Sequence, residues 1–155
     1  TVPKREEMAA EIDRRLALRD RGSMLPFAIR RNDTGAAVGM TTFMNLDPAN
    51  RRLEIGSTWL AKNAQRTGIN TEAKLLLLGN AFDTLNCIAV EFRTHWHNLQ
   101  SRRAIAELGA KQDGVLRNHH LWRDGTLRDT VVFSIIASEW PSVRLGLKER
   151  LAAHD

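Results

Sequence analysis

The segment Gln65-Arg66-Thr67-Gly68-Ile69-Asn70-Thr71 stands where a β-rich part of the chain gives way to a helical part. Residues 51–60, just before it, are rich in β-forming side chains and predict a strand. Residues 71–85, just after it, carry apolar side chains at spacings of three and four, which predicts an amphipathic helix. A strand, a short polar loop and a helix in this order indicate an α/β fold.

The loop itself has the composition of an anion-binding site. The first backbone N–H groups of a helix have no partner within the helix and can bind a phosphate. Gly68 allows the backbone to come close to a ligand, and Asn70 either tolerates a left-handed conformation or caps the helix. The amides of about five consecutive residues could therefore hold a pyrophosphate. The alternative is a helix that is only well capped, because Glu72 in its first turn would repel a phosphate.

Outward from this junction, β-rich and helical segments alternate along the chain. Turn-forming stretches at residues 32–35 and 47–50 separate the first three strands into an antiparallel meander, and Asp124-Gly125 joins the last two strands. We therefore expect one α/β (α+β) domain over residues 1–155, with a mixed, mostly antiparallel sheet flanked by helices. The predicted strands are residues 24–30, 37–45, 51–60, 87–94, 115–122 and 130–137, and the predicted helices are residues 3–20, 71–85, 99–108 and 140–151.

The composition excludes several classes of protein. With 155 residues, 43% of them apolar, the chain can form one packed core but not a multidomain assembly. No apolar run approaches the roughly 18 residues of a membrane span, so we expect a soluble, cytoplasmic protein without membrane contact. Cys87 is the single cysteine and the histidines are scattered, so we expect no bound metal. The net charge of +5 is spread in basic pairs, which favours solvated faces over a direct nucleic-acid contact.

Several motifs in a fixed order resemble one known family. They are Ile55-Gly56-Ser57-Thr58-Trp59-Leu60, the loop 65–70, Thr71-Glu72-Ala73-Lys74-Leu75-Leu76-Leu77, Asn98-Leu99-Gln100-Ser101-Arg102-Arg103-Ala104-Ile105, Leu108-Gly109-Ala110 and Asp113-Gly114-Val115-Leu116-Arg117. In this order and spacing they resemble the GNAT superfamily of N-acetyltransferases, and most closely its ribosomal-protein N-acetyltransferase (RimJ/RimL-like) branch. The similarity extends from about residue 26 to residue 141.

This resemblance implies a GNAT fold and an acetyl-CoA site. The end of the family's fourth strand region, here residues 59–61, would splay away from the fifth strand region, here residues 88–94. The pantetheine arm would lie in the gap between them, and the loop 65–70 would hold the pyrophosphate. Asn70 departs from the family, which usually has glycine or alanine there, although asparagine is the next best residue for a positive φ. The implied cofactor-binding residues are Trp59, Leu60, Ala61, Gln65, Arg66, Thr67, Gly68, Ile69, Asn70, Thr71, Asn98, Ser101 and Arg102.

The resemblance also implies candidates for the catalytic groups. Taken alone, Asn98 is a good helix N-cap with Ser101 in the first turn. In the RimJ/RimL-like branch the asparagine contacts the pantetheine region and the serine lies near the thioester sulfur. The chain contains no tyrosine, so the tyrosine acid of many GNAT enzymes is absent and Ser101 is the best remaining group to stabilise or protonate the coenzyme A thiolate.

Two residues are candidates for the general base. Glu54 lies in the strand where many relatives carry a carboxylate that acts through water. His120 falls at the sixth-strand position where the ribosomal branch carries a glutamate, and a histidine with an ordinary pKa near 6.5 is suited to base work. His119 is expected to point the other way. The alternatives are that Glu54 is a solvated strand residue and that His120 lies on the rim of the site.

We therefore expect an N-acetyltransferase that moves acetyl from acetyl-CoA to a primary amine, either a protein N-terminus or a small molecule, by direct transfer in a ternary complex. The alternatives are a catalytically silent acyl-CoA-binding regulatory module and an RNA- or ribosome-binding domain. Family members usually begin with a strand and a helix that precede the segments found here, so these elements are expected to be missing. A homodimer is possible through Trp122, the strand 131–137 and the helix that begins at Trp140.

Overall fold

Six strands form one mixed sheet, and four α-helices pack against it, in a computed structural model that describes residues 2–154. The strand order across the sheet is β1-β2-β3-β4-β6-β5. The strands are β1 Met24–Arg30, β2 Ala37–Asp47, β3 Arg52–Leu60, β4 Ala89–His95, β5 Lys111–Leu121 and β6 Leu127–Ile136, and the helices are α1 Met8–Asp20, α2 Ile69–Gly79, α3 Leu99–Glu107 and α4 Trp140–Ala152. The predicted α/β class and the flanking helices are confirmed.

The first three strands form the predicted antiparallel meander. Two tight connections join them, with Gly35 at φ 71° in the first and Arg51 at φ 50° in the second. β4 pairs antiparallel with β6, and β6 pairs antiparallel with β5, so only the β3–β4 contact is parallel. A parallel pair needs a crossover connection, and α2 supplies it.

The β3–β4 contact is short. It consists of three residue pairs, Arg52 with Ala89, Leu53 with Val90 and Glu54 with Glu91. Both strands continue beyond Glu54 and Glu91, β3 to Leu60 and β4 to His95, but they are no longer paired with each other there. The predicted splay between these two strands is thereby confirmed, and it opens a gap inside the sheet.

A β-bulge lies on β3 in the splayed part. Between the pairs Thr42–Gly56 and Met40–Trp59, β3 has one residue more than β2. Within this bulge, Ser57 has a left-handed backbone conformation with a φ of 50°. A bulge of this kind increases the local twist and bends the strand that carries it. It therefore turns the end of β3 away from the straight course that would keep it paired with β4.

The core lies where α2 and α4 pack on the sheet. Phe82, just after α2, stacks on Trp140 at the start of α4 with ring centroids 5.6 Å apart. The indole Nε1 of Trp140 donates to Asp83 Oδ1 at 3.2 Å. Val131 and Trp140 are 0% and 3% exposed, so these two members of the suggested dimer surface belong to the core of the monomer instead.

Element bounds differ from the prediction mainly around α2. The helix starts at Ile69, two residues early, because the Thr67 hydroxyl accepts a hydrogen bond from the Ile69 amide at 3.3 Å. It changes after Gly79 into a π-helical turn over Asn80–Thr84, where the Leu85 amide donates to Asn80 O, five residues back.

Two strands also start at other residues than predicted. β4 starts at Ala89 instead of Cys87, which is buried just before it. β5 starts at Lys111, earlier than predicted.

Two kinds of feature do not occur in the part of the chain that the structure describes. Among residues 2–154, no helix is both long enough and apolar enough to cross a membrane. Within the same residues, no three His, Cys, Asp or Glu side chains come together as metal ligands would.

Two leucines of α4 give a matched test of this core. Leu147 is 1% exposed and Leu145, on the outer face of the same helix, is 59% exposed. We expect Leu147→Ala to lower the free energy of unfolding by about 2–5 kcal/mol, because it leaves a cavity in the core. Leu145→Ala should change it by no more than about 0.5 kcal/mol. Urea unfolding of both variants measures the difference, and equal losses would contradict this packing of α4.

Candidate active site

The gap between β3 and β4 is the floor of a cleft of about 730 Å³. α2 contributes one wall and α3 the other, and a residue of α4 lies at the rim. Of the predicted cofactor-binding residues, the cleft is lined by Trp59, Leu60, Gln65, Asn70, Thr71, Asn98 and Ser101. Other lining residues that matter below are Gly56, Thr58, Lys74, Arg93, Glu107 and Arg150.

The edge of β3 presents unpaired backbone groups to this cleft. The Ala61 amide donates to Val38 O at 2.7 Å, and Leu60 is paired with Gly39. In an antiparallel ladder this makes Leu60 and Gly39 a non-hydrogen-bonded pair, so the N–H and C=O of Leu60 point away from β2. They point toward β4, which is no longer paired there. The Leu60 carbonyl accepts from Gln65 Nε2 at 3.0 Å, and its N–H faces the gap.

The loop before α2 presents a second group of free amides. Among residues 2–154, the amides of Arg66, Thr67 and Gly68 have no hydrogen-bond acceptor. Arg66 has a φ of 59°, so the left-handed residue of the loop is Arg66. Asn70 lies inside α2 and neither caps the helix nor has the positive φ expected of it, because the helix starts one residue earlier. The loop and the first turn of α2 together form an N–H-rich concavity.

Gly68 faces the end of α4. It is the N-cap of α2 with a φ of −69°, which any residue adopts. A Cβ added to it would lie 3.1 Å from Leu151 Cδ1 and 3.5 Å from His154 Cβ. The missing side chain therefore faces the end of α4, and the glycine allows this end to pack on the loop.

The Asn98 cap on α3 is confirmed. Asn98 Oδ1 accepts from the Ser101 amide at 3.1 Å, so the motif fixes the start of the helix as the local interpretation predicted. Ser101 is half-buried on the cleft side. Arg102 points elsewhere: its guanidinium lies 4.0 Å from the Trp96 ring centroid, and Nη1 donates to the Trp96 carbonyl at 3.1 Å.

A family model described as an acetyltransferase (GNAT) domain matches residues 1–111. The chain belongs to the GNAT acetyltransferase family. The curated protein named "Putative ribosomal N-acetyltransferase YdaF", from Bacillus subtilis (strain 168), is 34% identical over 106 residues, which cover 68% of this chain and 57% of that protein. The chain spans 57% and 63% of the lengths of the curated relatives it matches.

Two solved structures have the same fold. A GCN5-related N-acetyltransferase from Brucella melitensis is 33% identical with a TM-score of 0.82, covering 92% of this chain and 64% of that one. RimJ from Mycobacterium smegmatis, in complex with CoA-disulfide, is 29% identical with a TM-score of 0.77, covering 96% and 69%. The predicted placement in the RimJ/RimL-like branch of the GNAT family is confirmed.

Lys74 lines the cleft of this GNAT domain, and the sequence did not predict it there. It is 6% exposed, lies on the inner face of α2 and lines the cleft. Nζ is 3.5 Å from Thr58 Oγ1 and 3.5 Å from Asn70 Oδ1. Burial lowers the pKa of this lysine to about 8, because the charged form loses its hydration. The signal was present in the sequence, since Lys74 falls between Thr71 and Leu78 on the buried stripe of the helix.

Glu54 lies on the opposite face of the sheet from α2, because its neighbours Leu53 and Ile55 belong to the core beneath that helix. It is 5% exposed, so the interpretation as a solvated residue is wrong. Asn45 Nδ2 donates to Glu54 Oε2. Burial raises the pKa of this carboxyl, against the effects of Asn45 and Arg93. Glu54 Oε1 lies 3.7 Å from the position that a Cβ would have on Gly56. Gly56 lines the cleft, so the Glu54 carboxyl lies next to the edge of the cleft.

His120 shares the sheet face of Glu54 but lies farther along it. His120 on β5 pairs with Arg128 on β6, and Thr130, two residues further along β6, lies on the same face and pairs with His95 on β4. Glu91, four residues before His95 on β4, lies on this face too and pairs with Glu54 on β3. His120 is exposed, and neither His120 nor Glu54 is among the cleft-lining residues.

His119 reaches the same face, contrary to the expectation that it points the other way. A register shift between Leu116 and His120 is the reason. Its Nδ1 lies 2.8 Å from Thr130 Oγ1.

The structure thus brings together part of the predicted site. Leu60, Gln65, Asn70, Thr71, Asn98 and Ser101 converge on one cleft with Trp59. The predicted cofactor residues that do not line this cleft are Ala61, Arg66, Thr67, Gly68, Ile69 and Arg102. Ala61, Arg66, Thr67 and Gly68 lie between β3 and α2 beside the cleft. Ile69 begins α2 and lines the apolar groove on the other side of that helix, and Arg102 is held by Trp96. Their roles stay predictions.

The buried carboxyl of Glu54 predicts an unusual pH dependence of stability. A raised pKa means that the folded state holds the proton more tightly than the unfolded state, so ionisation of Glu54 destabilises the fold as the pH rises above the ordinary value of 4.5. We expect Glu54→Gln, which keeps an oxygen for Asn45, to be more stable than the wild type at neutral pH and to lose this advantage near pH 4.

Glu139 provides a control of opposite sign. Lys111 holds the pKa of its carboxyl below the ordinary value, so Glu139 stabilises the fold at neutral pH and loses this effect as the pH falls through its lowered pKa. Glu139→Gln should therefore be less stable than the wild type at neutral pH. Thermal unfolding between pH 4 and pH 8 separates the two, and a stability change of the same sign in both variants at neutral pH would contradict the burial argument for Glu54.

Proposed function

We propose that this domain transfers acetyl from acetyl-CoA to a primary amine by direct transfer in a ternary complex. The observation that carries the proposal is the three-residue β3–β4 contact, which opens a cleft inside the sheet at the N-terminus of α2. A cleft with free main-chain N–H groups on its strand edge and at its helix terminus fits a cosubstrate that is extended at one end and doubly phosphorylated at the other.

The unpaired polar groups of the chain fit acetyl-CoA. The amides of Arg66, Thr67 and Gly68, with the first turn of α2, would hold the pyrophosphate. The exposed edge of β3 would pair with the pantetheine amides as another strand does. The Leu60 N–H would donate to the thioester carbonyl and polarise it. Acetyl-CoA supplies the activated acetyl group, and the chain binds, orients and polarises it.

The acceptor amine would approach from the face that carries Glu54. An amine attacks only in its neutral form, so a base must remove a proton. Glu54 is suited to this because burial has raised its pKa and because its carboxylate lies beside Gly56 on the gap. His120 shares this face and is the other candidate for the base. On the other side of the gap, Ser101 would donate a hydrogen bond to the sulfur as the C–S bond breaks.

The names of the relatives favour a protein as the acceptor. The B. subtilis relative carries the name of a ribosomal N-acetyltransferase, and the M. smegmatis neighbour is RimJ. We therefore favour a peptide N-terminus, with a small-molecule amine as the other possibility. A primary amine needs no nucleic-acid contact and no metal, and the reaction suits a cytoplasmic protein.

One observation favours a silent acyl-CoA-binding regulatory module as the second candidate. His120 is exposed and does not line the cleft, and Glu54 reaches only its edge. A site that binds the thioester without a working base would bind without turnover.

Calorimetry with coenzyme A tests the binding site. We expect Asn70→Asp to weaken binding about tenfold, because a carboxylate in the first turn of α2 would repel a phosphate and would also pair with the ammonium of Lys74, which lies 3.5 Å from Asn70 Oδ1. Asn80→Asp places the same change at the other end of α2, where the side chain is exposed and away from the cleft, and should bind as the wild type does. Absence of binding to the wild type would contradict the proposed function.

Release of free thiol from acetyl-CoA tests the catalytic groups. With short peptides that carry a free N-terminus as acceptors, we expect Glu54→Gln to lower kcat about 10²-fold or more, as loss of a general base does. His120→Gln should have a smaller effect, since its side chain is exposed on the far part of the face. Intact coenzyme A binding without turnover in the wild type, across peptides and small amines, would favour the silent module.

A further inference from the structure

Lys74 is a buried cation without an anionic partner. Its side chain is 6% exposed and belongs to the cleft. Its ammonium has three N–H donors, and the two acceptors within reach, Thr58 Oγ1 and Asn70 Oδ1, are both at the limit of hydrogen-bond distance, 3.5 Å. Within residues 2–154, no carboxylate lies within 4.0 Å of Nζ.

The charged groups around Lys74 do not compensate it. From β4, α3 and α4, the cleft is lined by Arg93, Glu107 and Arg150. Arg150 Nη1 donates to the main-chain oxygen of Glu107 at 3.1 Å. On α2 itself, Glu72 lines the apolar groove on the other side of the helix. β3 offers only the Thr58 hydroxyl, which also bonds Thr41 Oγ1 at 2.8 Å.

A purely structural role explains Lys74 poorly. The buried stripe of α2 otherwise consists of Thr71, Leu77 and Leu78, and a methionine would complete it without the cost of desolvating a charge. A buried ammonium normally has a paired anion or hydrogen bonds that satisfy its three donors. Lys74 has a cleft beside it instead. A buried, weakly bonded cation that lines a cleft indicates a site for a group that is negative at some stage of the reaction.

The proposed reaction produces one such group in this cleft, where Lys74 reaches Thr58, two residues before Leu60 on β3. When the acetyl group leaves, the electron pair of the C–S bond remains on the sulfur, which needs a positive charge or a proton. A serine hydroxyl is a weak acid, and the chain has no tyrosine. A proton donor works best when its pKa is close to that of the leaving group and to the working pH. The pKa of Lys74, lowered to about 8 by burial, meets this condition, since a thiol ordinarily has a pKa near 8.5.

We propose that Lys74, from the α2 wall of the cleft, stabilises and protonates the sulfur of coenzyme A as it leaves, with Ser101 on the α3 wall as the second hydrogen-bond donor. This assignment rests on the proposed function.

In the step itself, the acceptor nitrogen forms a bond to the carbonyl carbon, the C–S bond breaks, and its electron pair goes to the sulfur. The proton on Nζ moves to the sulfur, and the proton of the acceptor amine goes to the base on the Glu54 face. The base then gives its proton to solvent and solvent returns a proton to Lys74, so both groups are restored and the charges balance over one turnover.

Binding measured across pH tests Lys74 without turnover. Coenzyme A has a thiol that can ionise next to Lys74, whereas acetyl-CoA has none. Binding of coenzyme A then releases one proton, whereas binding of acetyl-CoA releases none. The ratio of the two affinities should therefore rise with pH in favour of coenzyme A, by up to about tenfold between pH 6.5 and pH 7.5. In Lys74→Met, of similar length and uncharged, the ratio should change less than about twofold. Calorimetry with both ligands gives the two affinities.

Lys62→Met is the matched control. Lys62 is exposed, lies on the turn after β3 and is not a cleft residue, so this variant should keep the pH dependence of the wild type. In the thiol-release assay, Lys74→Met should lower kcat about 10²-fold and change KM little.

The outcomes separate the two proposals. If neither ligand binds the wild type, the proposed function fails. If both ligands bind but the affinity ratio in the wild type does not change with pH, Lys74 is not next to the sulfur, and this result needs no variant to fold. A pH-dependent ratio that persists in Lys74→Met equally overturns the assignment of Lys74. Loss of the pH dependence in Lys74→Met alone, with Lys62→Met like the wild type, supports it.

Discussion

The short parallel contact between β3 and β4 is the constraint on which the rest of the site depends. Two strands that start together and separate after three residue pairs leave main-chain N–H and C=O groups unpaired inside a sheet, which is costly unless something else pairs with them. The bulge at Ser57 turns the end of β3 away from β4. β2 stays paired with this end of β3 because Gly39 has no side chain, since a Cβ at Gly39 would lie 2.3 Å from Trp59 O. The unpaired edge is therefore built into the fold.

The same gap connects the two faces of the sheet. On one face, α2 and α3 bring Lys74 and Ser101 to the cleft. On the other face, Glu54 lies beside Gly56, whose lack of a side chain leaves the carboxylate next to the opening. A reaction in which one substrate is bound in the gap and the other approaches from the opposite face needs this arrangement. It also keeps the two proton transfers of the proposed reaction on separate sides of the sheet.

Sequence reasoning reached the parts of the molecule that depend on local patterns. Periodicity and turn residues predicted the β-rich meander, and the local Asn98 motif predicted the helix cap. The family resemblance, carried by the order of the motifs, predicted the splayed strands. It failed where distant contacts decide. Gly68 faces α4, more than eighty positions later. The left-handed residue is Arg66 and not Asn70, because the helix already starts at Ile69. The register shift that brings His119 to Thr130 includes Asn118 at a φ of 49°. Asparagine tolerates this conformation, but its presence alone does not fix where a strand changes register.

Burial acts in opposite directions on the two ionisable groups at the gap. It raises the pKa of the Glu54 carboxyl and lowers that of the Lys74 ammonium to about 8, because in each case the charged form loses hydration. Both groups therefore move toward neutral pH, where a proton is exchanged most readily. A surface glutamate and a surface lysine would have pKa values several units apart and would hold their charges throughout. In the proposed reaction, burial is thus what would make an acid, Lys74, and a base, Glu54, available on the two sides of the sheet.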